Sequence, residues 1–205
     1  MEKIGGNARI RKIAVTGTLS AGKSTVCGLL KPLGAYVLKA DDIVHDLLSR
    51  DVLVIQKIKE VFGEGVLSEG KVNRKALADL VFTNSKLLNS LEAILHPKVV
   101  KIIQETYNLV QNCDTFVVEF PLLFEIGFDS WFDEILFVTA KKEICKKRFL
   151  EKGFSEEQFE NRLKRFSPES EKIAKADYVI ENNGSIENLK QEIEKWTKKI
   201  NKRNP

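Results

Sequence analysis

Cysteine is scarce in this 205-residue chain. There are three, Cys27, Cys113 and Cys145, widely spaced, with no C-x-x-C among them. That pattern argues against a disulfide framework or a cysteine metal site and implies reduced thiols in a cytoplasmic setting. Cys27 reads as a small packed residue rather than a nucleophile. Long apolar runs are also lacking: none approaches the ~20 residues a membrane span needs. Met1 to Arg9 has no apolar h-region, so no signal peptide is indicated. Internal repeats and low-complexity segments are absent. Charge of one sign is not in great excess. The net charge is +4, and much of it falls in Lys195 to Arg203, which reads as a solvated helix face and tail. Basic residues are not interleaved with exposed aromatics, which argues against a nucleic-acid binder. What remains is an ordinary globular composition and a length sufficient for one sizeable core with inserted subdomains. Nothing here sets an oligomeric state.

The chain does contain Gly17-Thr18-Leu19-Ser20-Ala21-Gly22-Lys23-Ser24, a match to the phosphate-loop pattern G-x-x-x-x-G-K-[ST]. It lies between a strand-like run, Ile13-Ala14-Val15, and a helix-like run, Thr25 to Leu33. Glycines let backbone wrap an anion, and a helix start offers N–H groups to phosphate oxygens. Lys23 can reach the β- and γ-phosphates and Ser24 can ligate Mg²⁺, so the loop implies an NTP with Mg²⁺.

Residues 10–16, 35–38, 115–118, 135–138 and 178–180 read as strands. Their unalternating apolar character suits a parallel sheet buried on both faces. Between the second and third, no strand signal occurs. Helical stripes run through Val54 to Phe62, then Leu77 to Val81 behind a capping Asn73, then Leu87 to Leu95 stopped by Pro97, then Val99 to Val110. The expectation is an inserted helical subdomain. A second insertion, about Lys141 to Ala174, is rich in Lys and Arg, with a capping box at Ser155 to Gln158. It reads either as a lid that closes over phosphates or as a surface hairpin balanced by its own Glu residues. A last helix from Ile186 to Ile200 carries Leu189, Ile193, Trp196 and Ile200 on one face and is expected to pack on the sheet.

Ligands of open parallel sheets bind outside the carboxyl ends of the strands. Two such ends beyond the loop carry carboxylates: Asp41-Asp42 after the second strand and Glu119 after the third. For each of the aspartates two roles are open, a base accepting a hydroxyl proton during phosphoryl transfer or the N-cap of a helix Ile43 to Leu48; Asp41 is favoured as base and Asp42 as cap. Glu119 holds Mg²⁺ or is an ordinary strand-end carboxylate. His96, placed by Pro97 between two helices, is a structural hydrogen-bonder or a substrate contact. His45 reads as an ordinary helix residue.

In order along the chain, Thr16-Gly17 to Ser24-Thr25, Ala40-Asp41, Phe62-Gly63, Asn73 to Leu77, Leu95-His96-Pro97, Glu119 to Glu125 and Ala176 to Gly184 resemble the dephospho-coenzyme A kinase family over about residues 10–185. The resemblance implies an α/β, P-loop NTPase-like three-layer fold with a five-stranded parallel sheet. Its core would span about 10–40, 113–140 and 175–200, its helical coenzyme A-binding insertion about 41–112, and its lid about 141–174. It implies transfer of the ATP γ-phosphate to the 3′-hydroxyl of dephospho-coenzyme A, with Mg²⁺. Asp41 would be the general base and Lys23 the cation at the γ-phosphate. Ser20, Ala21, Gly22, Lys23, Ser24 and Thr25 would bind ATP, with Arg148 and Arg162 from the lid (Arg165 behind them) and Asn182 and Asn183 near the adenine. His96, Leu122, Leu123 and Phe124 would line the acceptor site, and Ser24 and Glu119 the metal. The family's loop usually reads Gly-Gly-Ile-Gly-Ser-Gly-Lys-Ser, so Thr18, Ser20 and Ala21 depart from it. Lys39 stands where the family often has Asp, and Phe166 where it often has Gln.

Overall fold

The computed structural model describes residues 9–82, 84–164 and 166–202. Two compact units emerge: residues up to Leu38 together with those from Val110 onward, and Lys39–Leu109.

The first unit is built on a five-stranded sheet of β1 (Arg11–Gly17), β2 (Tyr36–Lys39), β5 (Thr115–Glu119), β6 (Glu134–Thr139) and β7 (Tyr178–Glu181), in the order β2-β5-β1-β6-β7. β1 is central. Its register pairs Arg11 with Thr115 on one side and Gly17 with Val138 on the other, both parallel. A central strand whose two faces are covered by helices has no solvent face, which is why Ile13, Ala14 and Val15 are all apolar and fully buried. On the sheet pack α1 (Lys23–Leu30) and α9 (Ile186–Lys202). Leu189, Ile193, Trp196 and Ile200 of α9 are buried in one cluster with Val26, Leu30, Leu136 and Val138, as the three- and four-residue spacing of that stripe predicts. The Trp196 indole Nε1–H donates to the buried Glu134 Oε1 at 3.0 Å, satisfying both polar groups inside the core. Elsewhere in the unit, Phe128 stacks on Trp131 and meets Phe120 and Phe132 edge-on.

Between β6 and β7 lie α6 (Lys142–Leu150), α7 (Glu156–Leu163) and α8 (Glu169–Lys175). The capping box at the start of α7 is present: Ser155 Oγ accepts from Gln158 N, and Gln158 Oε1 accepts from Ser155 N at 2.9 Å. Arg165 lies outside the described residues.

The second unit comprises α2 (Ala40–Arg50), α3 (Val52–Phe62), a hairpin of β3 (Leu67–Ser68) and β4 (Lys71–Val72), α4 (Arg74–Phe82) and α5 (Ser85–Leu109). Asn73 caps α4 as expected, its Oδ1 accepting from Ala76 N at 3.1 Å. Asp51 ends α2 and starts α3; its carboxylate accepts from Val54 N at 2.9 Å and pairs with Lys98 Nζ at 3.0 Å. The Val54 amide, then Lys98, holds the Asp51 carboxyl below its ordinary value.

Three expectations are corrected here. Residues 67–72 form strands, too short to show any periodicity. Pro97 does not stop a helix; α5 runs through it. Proline forfeits one helix hydrogen bond and crowds the preceding turn, at about 3 kcal/mol in a helix interior. Here Leu95, Val99 and Ile103 form one buried stripe across that position, and α5 packs on α2, α3 and α4 along it. His96 therefore lies within a helix, half-buried, and not between two. Finally, α2 begins at Ala40 with Lys39 as its N-cap, so Asp41 and Asp42 both sit inside the first turn and neither caps it. Carboxylates in that turn still face the positive end of the helix dipole.

Candidate active site

The phosphate loop leaves β1 at Gly17, whose φ of 140° and closeness to β6 admit no side chain: a Cβ there would lie 2.0 Å from Val138 O. Thr18 N donates to that same carbonyl at 3.0 Å, so the loop is pinned to β6 as it begins. Ser20, one of the departures from the family's usual loop, takes φ 57°. Left-handed backbone explains the glycine usual there, and it costs a serine about 1–2 kcal/mol. Ala21, another departure, is fully buried in the core cluster, where the family's serine hydroxyl would have had to find a partner.

Lys23 opens α1. Its side chain folds back over the loop, with Nζ donating to Gly17 O at 3.0 Å and Thr18 O at 2.9 Å, and it is nearly buried. The ammonium is thus held over the loop's mouth by the loop's own carbonyls. The first turn of α1 carries no acidic residue to compete for an anion. Ser24 Oγ donates to Glu119 Oε1 at 2.6 Å across the carboxyl ends of β1 and β5. Glu119 is buried, and its Oε2 has no hydrogen-bond partner among the described residues. A buried carboxylate with an orphaned oxygen beside a hydroxyl is a hard, all-oxygen donor set, which suits Mg²⁺.

Two residues from distant parts of the chain converge on Ala21. Asn182 Nδ2 donates to Ala21 O at 2.8 Å, and Arg148 Nη1 donates to the same oxygen at 3.2 Å. Arg148 Nη2 donates to Asn182 O at 3.1 Å, closing the triangle. Beside them opens a cavity of about 380 Å³ lined by Ser20, Gly22, Thr25, Arg148, Asn182 and Ile186, among others. Asn182, expected near a nucleotide base, also buttresses the loop backbone.

Other sequence-derived candidates of the first unit make contacts of their own. Asn183 Oδ1 accepts from Lys141 N at 2.7 Å, starting α6. The Arg162 guanidinium lies over the rings of Phe154 and Phe149, with centroid distances of 4.6 Å and 5.3 Å. Leu123 is fully buried, while its neighbours Leu122 and Phe124 are half-buried. Asp41 is exposed on the first turn of α2. In the same unit, Arg74 Nη1 meets His45 Nδ1 at 2.6 Å, and His45 is an exposed residue of α2. Cys27 and Cys145 are both buried, and burial pushes the Cys145 thiol up, away from nucleophilic use.

Sequence reasoning passed over Thr139, which the strand-end rule could have flagged at the carboxyl end of β6. Its Oγ1 donates to Glu169 Oε1 at 2.5 Å and lies 3.3 Å from Thr18 Oγ1. Thr18, another departure from the family's loop, thereby links the loop to the first residue of α8.

Comparison with known proteins bears on this arrangement. The family model described as dephospho-CoA kinase matches residues 11–188. A dephospho-CoA kinase of Chlamydia pneumoniae is 42% identical over 192 residues, covering 92% of this chain and 95% of that protein. One from Aquifex aeolicus is 39% identical over 187 residues, covering 91% and 95%. Among solved structures, TT1252 from Thermus thermophilus superposes with a TM-score of 0.80 at 32% identity, covering 96% of this chain and 99% of that one. A dephospho-CoA kinase from Campylobacter jejuni gives 0.69 at 31% identity, covering 95% and 98%.

Proposed function

The chain belongs to the dephospho-CoA kinase family and catalyses ATP-dependent phosphorylation of dephospho-CoA to coenzyme A, and we propose how its own residues divide that work. The observation that carries the reading is the Lys23 and Ser24–Glu119 arrangement at the carboxyl ends of β1 and β5. Lys23 exchanges its two loop carbonyls for the β- and γ-phosphate oxygens of ATP. Those carbonyl contacts keep the ammonium over the loop before nucleotide arrives, so little rearrangement is needed. Ser24 and Glu119 would hold Mg²⁺, which would supply charge to neutralise the phosphates. Arg148 spends two donors on Ala21 O and Asn182 O and keeps the rest of its five N–H groups for phosphate. Gly22, Thr25 and Asn182 border the nucleotide in the adjoining cavity, with Ser20 and Ala21 as the loop's left-handed corner and its buried anchor.

Asp41 accepts the proton of the 3′-hydroxyl as that oxygen attacks the γ-phosphorus. Its exposure in a helix's first turn suits a group that must reach a large substrate. His96, Leu122 and Phe124 contribute to binding the acceptor. Arg162, stacked on two aromatic rings, acts on phosphate only if the lid repacks. The three cysteines, all free thiols, fit a reducing, cytoplasmic compartment.

The test is direct. Purified protein with ATP, Mg²⁺ and dephospho-CoA is scored for coenzyme A, alongside Asp41→Asn. The wild type is expected to form product. The variant is expected to lose turnover by about 10²–10⁴-fold, the usual worth of a general base, while binding ATP normally. A fully active Asp41→Asn would remove Asp41 from the role of base. A nucleotide switch without transfer, the rival reading, would show ATP binding and no coenzyme A from either protein.

A further inference from the structure

Helix α8 carries a lysine withdrawn from water. The Lys172 side chain is 5% exposed, and its Nζ lies 2.6 Å from Glu125 Oε1. The same ammonium sits 4.5 Å from the centre of the Phe166 ring. Glu125 belongs to the turns of residues 121–127, directly after β5, and its side chain is 16% exposed. Its Oε1 also accepts from Ser167 N at 3.1 Å, while its Oε2 is buried with no hydrogen-bond partner among the described residues. Three residues beyond Lys172, the Lys175 ammonium stands 5.8 Å from the centre of the Phe124 ring. Contacts from three positions on one side, Ser167, Lys172 and Lys175, therefore fasten α8 and its approach to the short segment that bears Leu122 and Phe124.

A buried ion pair is a poor route to stability, because desolvating both charges consumes most of what their attraction returns. This one leaves a carboxylate oxygen unsatisfied as well, so it is further from optimal than an apolar pair of the same volume. What a short, charge-assisted contact does supply is a fixed distance and direction. We propose that Glu125 and Lys172 are positioning residues for the acceptor substrate. Their ion pair holds segment 121–127 in the form that presents Leu122 and Phe124 to dephospho-CoA, and it makes that form depend on α8. The inference rests on the reading of Leu122 and Phe124 as acceptor contacts. Glu125 lies in the run that resembles the family, but sequence gave it no task, and Lys172 stood among many lysines with nothing to mark it.

Steady-state kinetics of E125Q, K172M and the double variant test this. Each single variant is expected to raise KM for dephospho-CoA about tenfold while KM for ATP moves less than about twofold. Each single variant also leaves one polar or charged partner alone in the core and melts earlier. The double variant leaves no lone charge, so its melting temperature returns toward wild type while its acceptor KM stays high. If the double variant restores both, or if the two KM values rise together, the pair is merely structural and the proposal falls. Hydrogen exchange without substrate provides a separate readout. Amides of residues 122–127 should exchange faster in K172M, with those of β5 unchanged; unaltered exchange across 122–127 overturns the proposal. A wild type that makes no coenzyme A would refute the functional reading instead, and the exchange result would still decide whether the pair holds the segment.

Discussion

Replacing Gly17 by alanine should damage this protein far more than the loss of a loop glycine usually does. The new Cβ would lie 2.0 Å from Val138 O, against the ~3.3 Å at which carbon and carbonyl oxygen normally meet. The obstacle is backbone in the neighbouring strand, so no side-chain rotation relieves it. β1 must retreat by about 1.3 Å, a displacement that removes the 3.0 Å bond from Thr18 N to the same oxygen. A lost, buried backbone bond costs about 1–3 kcal/mol. Holding alanine at φ 140° adds about 1–3 kcal/mol. The sum, about 2–6 kcal/mol, is a large part of the 5–15 kcal/mol typical of a whole domain. The measurement is urea unfolding followed by tryptophan fluorescence. Both tryptophans, Trp131 and Trp196, belong to the unit that contains Gly17, so the signal reports that unit. The matched comparison is Gly34→Ala in the same unit, where φ is 90° but nothing lies within 4 Å of the added carbon. Only the conformational cost of about 1–2 kcal/mol remains there. ATP affinity should fall with Gly17→Ala and hold with Gly34→Ala. If the two alanines cost the same, the close approach of β1 to β6 is not what demands glycine, and the reasoning fails.

Other outcomes follow from single contacts. Trp196→Phe should cost about 1–3 kcal/mol in thermal unfolding, because Glu134 Oε1 loses its donor inside the core. Asp51→Asn should destabilise the helical unit by about 1 kcal/mol at neutral pH. The folded-state pKa of Asp51 is lowered, so its contribution is fully present above the unfolded carboxyl value, near 3.9, and is lost as pH falls through the folded value. The gap between wild type and variant, read by circular dichroism as a function of pH, should therefore close below about pH 4; a gap that widens in acid would contradict the assignment.

How much of this could be read from residues alone depended on what each feature uses to show itself. The five sheet strands were legible because burial on both faces demands continuous β-rich apolar runs, and Phe116-Val117-Val118 and Leu136-Phe137-Val138 have no other economical reading. The stripe of α9 was equally plain. Pro97 misled because a local rule about one hydrogen bond was applied without knowing that three other helices pack along the same stripe. The hairpin at 67–72 has two residues per strand, fewer than any pattern needs. At the site, the loop motif located Lys23 and Ser24, and the strand-end rule located Glu119. The Asn182–Arg148–Ala21 triangle spans 161 positions of chain, and nothing local announces such a meeting. The stacking of the Arg162 guanidinium over Phe149 and Phe154 likewise has no local pattern to announce it.

The placement of β1 also governs how the chain must acquire its structure. Residues 11–17 emerge from the ribosome well before their partners, residues 115–119 and 134–139. A central strand cannot be completed until both have been synthesised, and closing loops of that length makes the step slow. The helical unit has no such wait, since Lys39–Leu109 is a compact unit formed from one continuous stretch of chain. During synthesis the nascent protein therefore passes through an interval in which the helices can be assembled while an apolar strand and the phosphate loop remain uncovered, the interval in which chaperone help or aggregation would be decided.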